Sequence, residues 1–473
     1  FMFSNFQDAL AFIRGNSIEL IDLLYGDLWG QLHHLTITNR EFTAELMSEG
    51  VGFDGSSVGF KHVHSGDMVL KPDLATGFID PFHKQPTLAF LCNIFEADTK
   101  ERYQFDPREI AKRSEKFLQD SGIADCSLWG PEFEFYIFDR VTLKNSPSLS
   151  LCQIDSGEAN WGDLVNPNGY ALPDNHGYHA APPCDNYFEL RDRIVVTLEK
   201  LGIPVKYHHH EVGGPGQSEI ETPLLGIIQA GDAALLIKYV VKMTAMLAGK
   251  TATFLPKPIY GLAGSSTHYH QLLQKNDQNR FYDSEGFSLL SQTAMHYIGG
   301  LLTHAPAVMA FTNPSSNSYR RLVPGFEAPV KAIFSAGNRS AAIRIPKYAT
   351  APKAVRMEFR PPDATGNAYL SMAAMLLAGI DGIQHQIDPT EAGFGPINEN
   401  IFDWPEEKRA KIKSLPTSVE AAMQAHESDS GFLKAGGIFD DTLIQTWTTV
   451  KRKEAENVNQ HPSPFEIENY YDC

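Results

Sequence analysis

A short segment with the sequence GPEFEF, residues 130–135, constrains the fold of this chain more than any other. Acidic and aromatic residues alternate in it, and successive side chains of a β-strand point to opposite faces. A strand here places Glu132 and Glu134 on one face and Phe133 and Phe135 on the other. The flanking apolar runs indicate a buried strand, in which adjacent carboxylates repel each other unless cations lie beside them. The segment predicts a metal-binding strand; the alternative is an edge strand with a solvated acidic face.

Three further segments carry possible metal donors. The segment HHHEVGGPGQSEIE places Glu211 and Glu219 around a glycine-rich turn, where a hairpin could aim both inward. In RMEFR, Glu358 lies between two arginines, which suits a metal ligand or a structural ion pair. THYH adds His268 and His270. Carboxylates with an imidazole suit Mg²⁺ or Mn²⁺ carrying phosphate oxygens. These motifs contain no cysteine, which argues against structural zinc, and the chain has no GxxxxGK[ST] motif for a P-loop.

Arginines are concentrated in the segments NPSSNSYRRLVPGFEAPV and GNRSAAIRIP. Arg321, Arg339 and Arg344 there join the two arginines of RMEFR, and arginine forks suit carboxylate and phosphoryl groups. Each arginine alone is as well explained by a surface ion pair. Glu327 lies between two prolines in a predicted loop, and a mobile loop can close a carboxylate over a reaction centre.

Bulk properties limit the class of protein. A chain of 473 residues predicts two domains. The net charge of −17 argues against binding to nucleic acid or anionic membranes, and no apolar run approaches the roughly 18 residues of a membrane span. The five cysteines are scattered and include no CxxC pair, which favours a reduced, cytoplasmic protein.

The order of helix-like and strand-like patterns along the chain predicts an α+β fold. Short β-rich runs with one early helix fill residues 1–103, and a larger unit follows at 104–473. Asp106 and Pro107 are typical of a helix start. Residues 141–186 are polar and rich in Gly, Pro and Asn, which is typical of a functional flap or of a disordered segment.

Several motifs, taken together and in order, resemble type I glutamine synthetases over nearly the whole chain. They are FDGSS (53–57), GPEFEF, HHHEVGGPGQSEIE, KTATFLPKP, THYH, NPSSNSYRRLVPGFEAPV, NRSAAIRIP, MEFRPPDATGNAYL and FLKAGGIF. The resemblance implies a β-grasp-like N-terminal domain and a large catalytic domain with a curved antiparallel sheet and helices. It also implies a homododecamer of two hexameric rings, with active sites between neighbouring subunits.

The resemblance also implies roles for individual residues. Two or three divalent ions, Mg²⁺ or Mn²⁺, would be bound in two groups, Glu134 with Glu211 and Glu219, and Glu132 with His268 and Glu358. ATP would be bound by His270, Arg344, Lys353 and Arg356. Glutamate would be bound by Gly264, Arg321, Arg360 and Tyr178, the last in the flap. Catalysis would involve Arg339 and Arg344 on the phosphoryl group, Asp54 from the neighbouring subunit and Glu327 in the closing loop.

The implied activity is ATP-dependent ligation of an amine to the γ-carboxyl of L-glutamate through γ-glutamyl phosphate, a reaction of nitrogen metabolism. Family members that make glutamine usually read GDNGSGMHxHxS where this chain reads GLAGSSTHYHQLL. Leu262 and Ala263 make this region less polar, which favours an alkyl or aryl amine as acceptor and a γ-glutamylamide or γ-glutamylanilide as product. The alternative is a true glutamine synthetase that uses ammonia, supported by retention of Asp54 and Glu327. A non-catalytic relative is disfavoured because it would have no reason to keep the metal ligands and arginines.

Overall fold

The computed structural model describes residues 3–60, 66–161 and 169–473, with the side chain of Phe402 left out. The segment 162–168, which belongs to the predicted flap, lies outside the described residues. None of the helices in the described ranges is long and apolar enough to cross a membrane.

The N-terminal part contains one sheet with two α-helices. The strands are β1 (Leu20–Gly26), β2 (Leu32–Thr38), β3 (Val51–Asp54), β4 (Asp67–Pro72), β5 (Phe78–Ile79) and β6 (Thr87–Glu96), and the helices are α1 (Phe6–Gly15) and α2 (Ala44–Glu49). The strand order is β2-β1-β6-β4-β3, with β5 also on β6. The central pair β1 and β6 is parallel, from Leu20 opposite Thr87 to Leu24 opposite Leu91. Both strands are mostly apolar because both lie inside the sheet, with Asp22 in β1 and Asn93 in β6 as interruptions.

The remaining elements build the larger unit. Its strands are β7 (Cys126–Phe138), β8 (Arg140–Ser146), β9 (Leu149–Asp155), β10 (Tyr207–His210), β11 (Gln217–Glu221), β12 (Leu225–Gly226), β13 (Thr251–Thr253), β14 (Thr267–Lys275), β15 (Gln278–Asn279), β16 (Phe334–Ala336), β17 (Ile343–Ile345) and β18 (Met357–Phe359). Its helices are α3 (Pro107–Asp120), α4 (Phe188–Lys200), α5 (Ile227–Leu247), α6 (Gln292–Thr312), α7 (Ser318–Arg321), α8 (Ala368–Gln384), α9 (Glu406–Arg409), α10 (Val419–Ser428), α11 (Asp441–Asn459) and α12 (Pro464–Tyr470).

The second sheet brings the acidic motifs together. Its strands run in the order β10-β11-β7-β14-β18-β17-β16, and these neighbours are antiparallel except for the parallel pair β16 and β17. Glu134 on β7 lies opposite Glu219 on β11, and Glu132 lies opposite His268 on β14. Strand β18, beside β14, carries Glu358. Because side chains alternate between faces with a period of two, this register gathers the charged side chains on one face.

Helices support the sheet from the other side. Helices α6 and α8 cross at Gly300 and Gly382, where a Cβ on either residue would lie 2.5 Å from the Cα of the other. Helix α3 begins as predicted, with the Asp106 side chain accepting a hydrogen bond from the Arg108 amide and Pro107 at the first position. The predicted domain boundary near residue 103 stays a prediction; the hydroxyl of Tyr103 donates to the Phe60 carbonyl at 2.6 Å, so this residue is packed against the N-terminal part.

Candidate active site

A cleft of about 360 Å³ opens on the charged face of the second sheet. Twelve of the residues predicted from the sequence line it: Glu132, Glu134, Tyr178, Glu211, Glu219, Gly264, His268, Arg321, Glu327, Arg339, Arg344 and Arg360. They come from β7, β11, β14 and β17, from helix α7, which ends at Arg321, and from loops. The fold therefore brings most of the predicted site residues into one cavity.

The first group of metal-ligand type consists of Glu132, His268 and Glu358. One donor atom from each lies within 4.8 Å of the others. The Nδ1 atom of His268 is 3.1 Å from Glu132 Oε2 and 3.4 Å from Glu358 Oε1. This is the set that the sequence assigned to one ion, and its members come from three adjacent strands.

The second group surrounds the glycine-rich turn. Donor atoms of Glu211, Glu219 and His209 lie within 4.8 Å of one another, and His209 Nε2 is 3.5 Å from Glu219 Oε1. Glu134 faces Glu219 across the strand pair. The metal ligands predicted from the sequence did not include His209. It lies two residues before Glu211, and the two-residue period of a strand could have indicated that both side chains share a face.

The pKa shifts of the carboxyl groups differ between the two groups. Burial, together with the charge of Glu134, raises the pKa of Glu211 well above its ordinary value, and burial with Glu132 and Glu134 does the same for Glu219. Burial acts in the same direction on Glu358, but Arg360 together with His270 and His268 outweighs it and lowers the pKa of this carboxyl to about 2. Glu211 and Glu219 are thus not held in the ionised form as Glu358 is. Oxygen donors with one imidazole fit a hard divalent cation.

His270 and Arg356 lie behind the cleft wall, and neither is among the described residues that line the cavity. His270 Nε2 is 2.6 Å from Glu132 Oε1, and Arg356 Nε donates to His270 Nδ1 at 3.1 Å. Because Nδ1 accepts a hydrogen bond, Nε2 carries the proton and donates to the carboxylate. His270 therefore orients a proposed metal ligand. The guanidinium of Arg356 also lies 5.5 Å from the centre of the Tyr348 ring, and Tyr348 lines the cleft.

The arginines form a buried cluster around Glu358. Arg344 Nη1 and Arg360 Nη1 donate to the two oxygens of Glu358, each at 2.5 Å. Arg321 lines the cleft but donates to backbone carbonyls, Nη1 to Pro361 at 2.7 Å and Nη2 to Arg360 at 3.0 Å. Its guanidinium is thus largely engaged by the main chain, which the sequence could not indicate.

The loop carrying Glu327 forms one edge of the cleft. Glu327 has a φ of 55°, a left-handed conformation that is uncommon for glutamate. Burial acts to lower the pKa of Arg339, but Glu327 and Tyr178 outweigh it and raise this pKa. The flap residue Tyr178, the loop residue Glu327 and Arg339 therefore meet at the mouth of the cleft.

Two predicted residues lie away from the cavity. Asp54 is exposed on the N-terminal sheet, and its carboxylate accepts hydrogen bonds from the Ser56 hydroxyl at 2.7 Å, the Ser57 hydroxyl at 2.9 Å and the Ser56 amide at 2.9 Å. Those hydrogen bonds lower the pKa of Asp54. Lys353 is exposed in a surface turn. Neither is among the described residues that line the cleft of their own chain.

In the loop 261–266, Leu262 does not line the amine side of the site as the sequence led us to expect. Leu262 is only 2% exposed and packs with Tyr136 and Phe138 in a small core cluster. It does not belong to the described residues that line the cleft, whereas Ala263 and Gly264 do. Leu262 therefore makes no apolar wall for an amine, because burial against two aromatic rings turns it away from the cavity.

Comparisons with known proteins agree with this architecture. Residues 17–97 match the family model described as the glutamine synthetase β-grasp domain, and residues 104–470 match that of the glutamine synthetase catalytic domain. A glutamine synthetase from Streptomyces filamentosus is 44% identical over 475 residues, and one from Frankia alni is 43% identical over 477 residues, each covering 100% of both chains. A Plasmodium falciparum glutamine synthetase structure superimposes with a TM-score of 0.90 at 28% identity, covering 100% of this chain and 99% of that one.

The fold and the cleft define an ATP-dependent carbon–nitrogen ligase with a β-grasp domain followed by a catalytic domain. The chain belongs to the glutamine synthetase family. The predicted family, the α+β fold class and the enzyme class are thereby confirmed. Membership of the family implies the use of ATP and a divalent metal ion.

Proposed function

We propose that this protein makes glutamine from L-glutamate, ATP and ammonia. The observation that carries the proposal is the convergence of both carboxylate groups and the arginines of the Glu358 cluster on a single cleft. The γ-carboxylate oxygen of glutamate attacks the γ-phosphorus of ATP, and ADP leaves. The nitrogen of ammonia then attacks the acyl carbon of γ-glutamyl phosphate. Inorganic phosphate leaves, and the nitrogen loses a proton.

Two or three Mg²⁺ or Mn²⁺ ions would be held by the two carboxylate groups, with Glu132, His268 and Glu358 on one side. Glu134, Glu211 and Glu219 would form the other side, and His209 is close enough to join it. Bound divalent ions would offset the charge of the phosphate oxygens during transfer. The like charges of the second carboxylate group support this assignment, because they are unfavourable without a cation.

The remaining residues bind and orient the substrates. Arg339 and Arg344 would stabilise the transferring phosphoryl group, and Arg360 and Arg321, with Gly264 and Tyr178, would bind glutamate. ATP would be bound beside Arg344 and Lys353, with His270 and Arg356 acting from behind the cleft wall through their contacts with Glu132 and Tyr348. Asp54 would reach the cleft of an adjacent subunit in a ring-shaped dodecamer and favour the ammonium ion, and Glu327 would exclude water and accept a proton.

Ammonia is favoured over a larger amine because Leu262 faces the core cluster rather than the cleft. A specific observation favours a small organic amine as the second candidate. Ala263, Val212 and Phe326 also line the cleft and contribute apolar area to it. A methyl or isopropyl group is compatible with such an area.

The test is steady-state phosphate release with glutamate, ATP and one of four acceptors: ammonium, methylamine, isopropylamine or aniline. We expect the highest kcat/KM with ammonium. A higher kcat/KM with one of the organic amines would replace the first candidate by the second. Absence of release with all four acceptors would reject both.

A further inference from the structure

The segment 261–264, here called the wall loop, forms one side of the cleft but is held by side chains from elsewhere. Ala263 and Gly264 line the cavity. A Cβ on Gly264 would lie 2.7 Å from Arg321 Cγ and 2.5 Å from the Pro256 carbonyl oxygen, so the loop backbone is pressed against an arginine of the cleft. Any displacement of the wall loop therefore changes the space beside Arg321.

Asn175 makes the most extensive of these external contacts. Its Nδ2 donates to the Gly261 carbonyl at 2.8 Å, and its Oδ1 accepts from the Ala263 amide at 2.8 Å. The orientation of the carboxamide is set by this pair, since one partner can only accept and the other can only donate. One side chain thus spans the two ends of the tripeptide that contains Leu262.

The same residue connects the wall loop to the turn between the metal-binding strands. The Asn175 amide donates to the Gly213 carbonyl at 3.4 Å. Gln217 makes a parallel link, since its Nε2 donates to the Gly264 carbonyl at 3.0 Å and its Oε1 accepts from the Gly213 amide at 2.6 Å. The backbone of Asn175 has a φ of 59°, which asparagine and glycine tolerate better than other residues.

We propose that Asn175 is a positioning residue that sets the glutamate and amine side of the cleft by holding the wall loop against Arg321 and the Gly213 turn. The inference rests on the proposed function for its kinetic consequences. Loss of the carboxamide frees the Gly261 and Ala263 backbone groups and lets the wall loop move. Binding of glutamate and amine then weakens, while ATP, which is placed by residues on other segments, is little affected.

The experiment compares Asn175→Gly, which tolerates the same φ but has no side chain, with the wild type. The matched control is Asn276→Gly, at a φ of 51° in the turn between β14 and β15, where Asn276 is not among the described residues lining the cleft. We expect Asn175→Gly to raise the KM for glutamate about tenfold, as for one or two lost hydrogen bonds, with the KM for ATP unchanged within about twofold. Asn276→Gly is expected to change neither value. Unchanged glutamate and amine KM values, or an equal rise in all three KM values, would overturn the proposal.

Hydrogen exchange gives a readout that does not depend on turnover. The Ala263 amide should exchange roughly fivefold faster or more in Asn175→Gly. It should stay protected in Asn175→Asp, which keeps the acceptor oxygen but sets a second oxygen against the Gly261 carbonyl. If Asn175→Gly does not fold, Asn175→Asp carries the kinetic test with a smaller rise in glutamate KM. If the wild type releases no phosphate with any acceptor, the proposed function fails, and exchange at Ala263 alone decides whether Asn175 holds the wall loop.

Discussion

Glu358 in β18 and Arg360, the residue directly after this strand, form an ion pair in which Arg360 Nη1 donates to Glu358 Oε1 at 2.5 Å. Arg344 donates to the other oxygen, so this carboxylate is fully buried between two guanidinium groups. His268 Nδ1 also lies 3.4 Å from Glu358 Oε1. The residue therefore joins the arginine cluster to the first metal-ligand group. Burial acts to raise its pKa, but Arg360 together with His270 and His268 outweighs burial and lowers this pKa to about 2, so the carboxylate stays ionised.

Replacing Glu358 by glutamine is expected to abolish activity. The substitution removes a charged donor from the ligand group and leaves two buried arginines without their anion, at a cost of about 3 kcal/mol in the free energy of unfolding. We expect phosphate release to fall at least about 100-fold, a size typical of losing one electrostatic contact in an active site. Glu391→Gln, in an exposed turn after α8, is the matched control. Wild-type kcat in Glu358→Gln would contradict the ligand assignment.

Glu219→Gln is expected to have opposite effects on stability with and without metal. Glu219 is buried near Glu132 and Glu134, and removal of its charge relieves repulsion in the metal-free protein. The melting temperature without metal should therefore rise by a few degrees, about 1–2 kcal/mol for a relieved buried charge. Addition of Mg²⁺ should stabilise the wild type by mass action but shift the variant much less. Thermal unfolding with EDTA and with a Mg²⁺ series measures both effects, and equal Mg²⁺ shifts in the two proteins would remove Glu219 from the metal site.

Most of the charged face could be predicted from the sequence because strand geometry alone determines it. In GPEFEF the period of two places Glu132 and Glu134 together wherever the strand lies. The same rule could have found His209, two residues before Glu211. Antiparallel pairing of β7 with β11 and β14, and of β14 with β18, then brings the strand residues of both groups together.

Side chains in loops could not be predicted in this way because no periodicity determines their direction. Leu262 packs against Tyr136 and Phe138, which belong to β7, a strand far from it in the sequence. The guanidinium of Arg321 faces main-chain carbonyls that follow β18. Such contacts join segments far apart in the chain, so they emerge only with the tertiary structure.

Substitutions at adjacent positions in the wall loop should separate stability from substrate selection. Leu262→Ala removes a buried side chain and is expected to destabilise the protein by about 2–4 kcal/mol, with little change in the ratio of kcat/KM between ammonium and isopropylamine. Ala263→Asn places a polar side chain at a position that lines the cleft, and we expect it to lower kcat/KM for isopropylamine relative to ammonium several-fold. Melting temperatures and acceptor kinetics of both variants make the comparison. A change of acceptor preference in Leu262→Ala alone would show that Leu262, and not Ala263, selects the amine.

We expect the protein to lose stability at alkaline pH because of His304, a residue outside the active site. Its Nδ1 lies 2.8 Å from Asp429 and its Nε2 2.9 Å from Asp381, so each ring nitrogen faces a carboxylate. Burial acts to lower the pKa of His304, but these hydrogen bonds outweigh it and raise the pKa to about 9. Since the unfolded chain has a pKa of about 6.5, the contribution is fully present below that pH and is lost as the pH rises to about 9.

We expect the wild type to lose about 1–3 kcal/mol of unfolding free energy between pH 6.5 and 9 from this group. His304→Gln cannot carry the charge, so it should be less stable than the wild type at pH 6.5 and approach it at pH 9.5. His385→Gln is the control, because His385 also lies beside Asp381 but its side chain is 67% exposed. Melting temperatures of the three proteins across this range, with EDTA present throughout, measure the effect. A wild-type advantage over His304→Gln that stays constant from pH 6.5 to 9.5 would show that His304 is not charged in the folded protein.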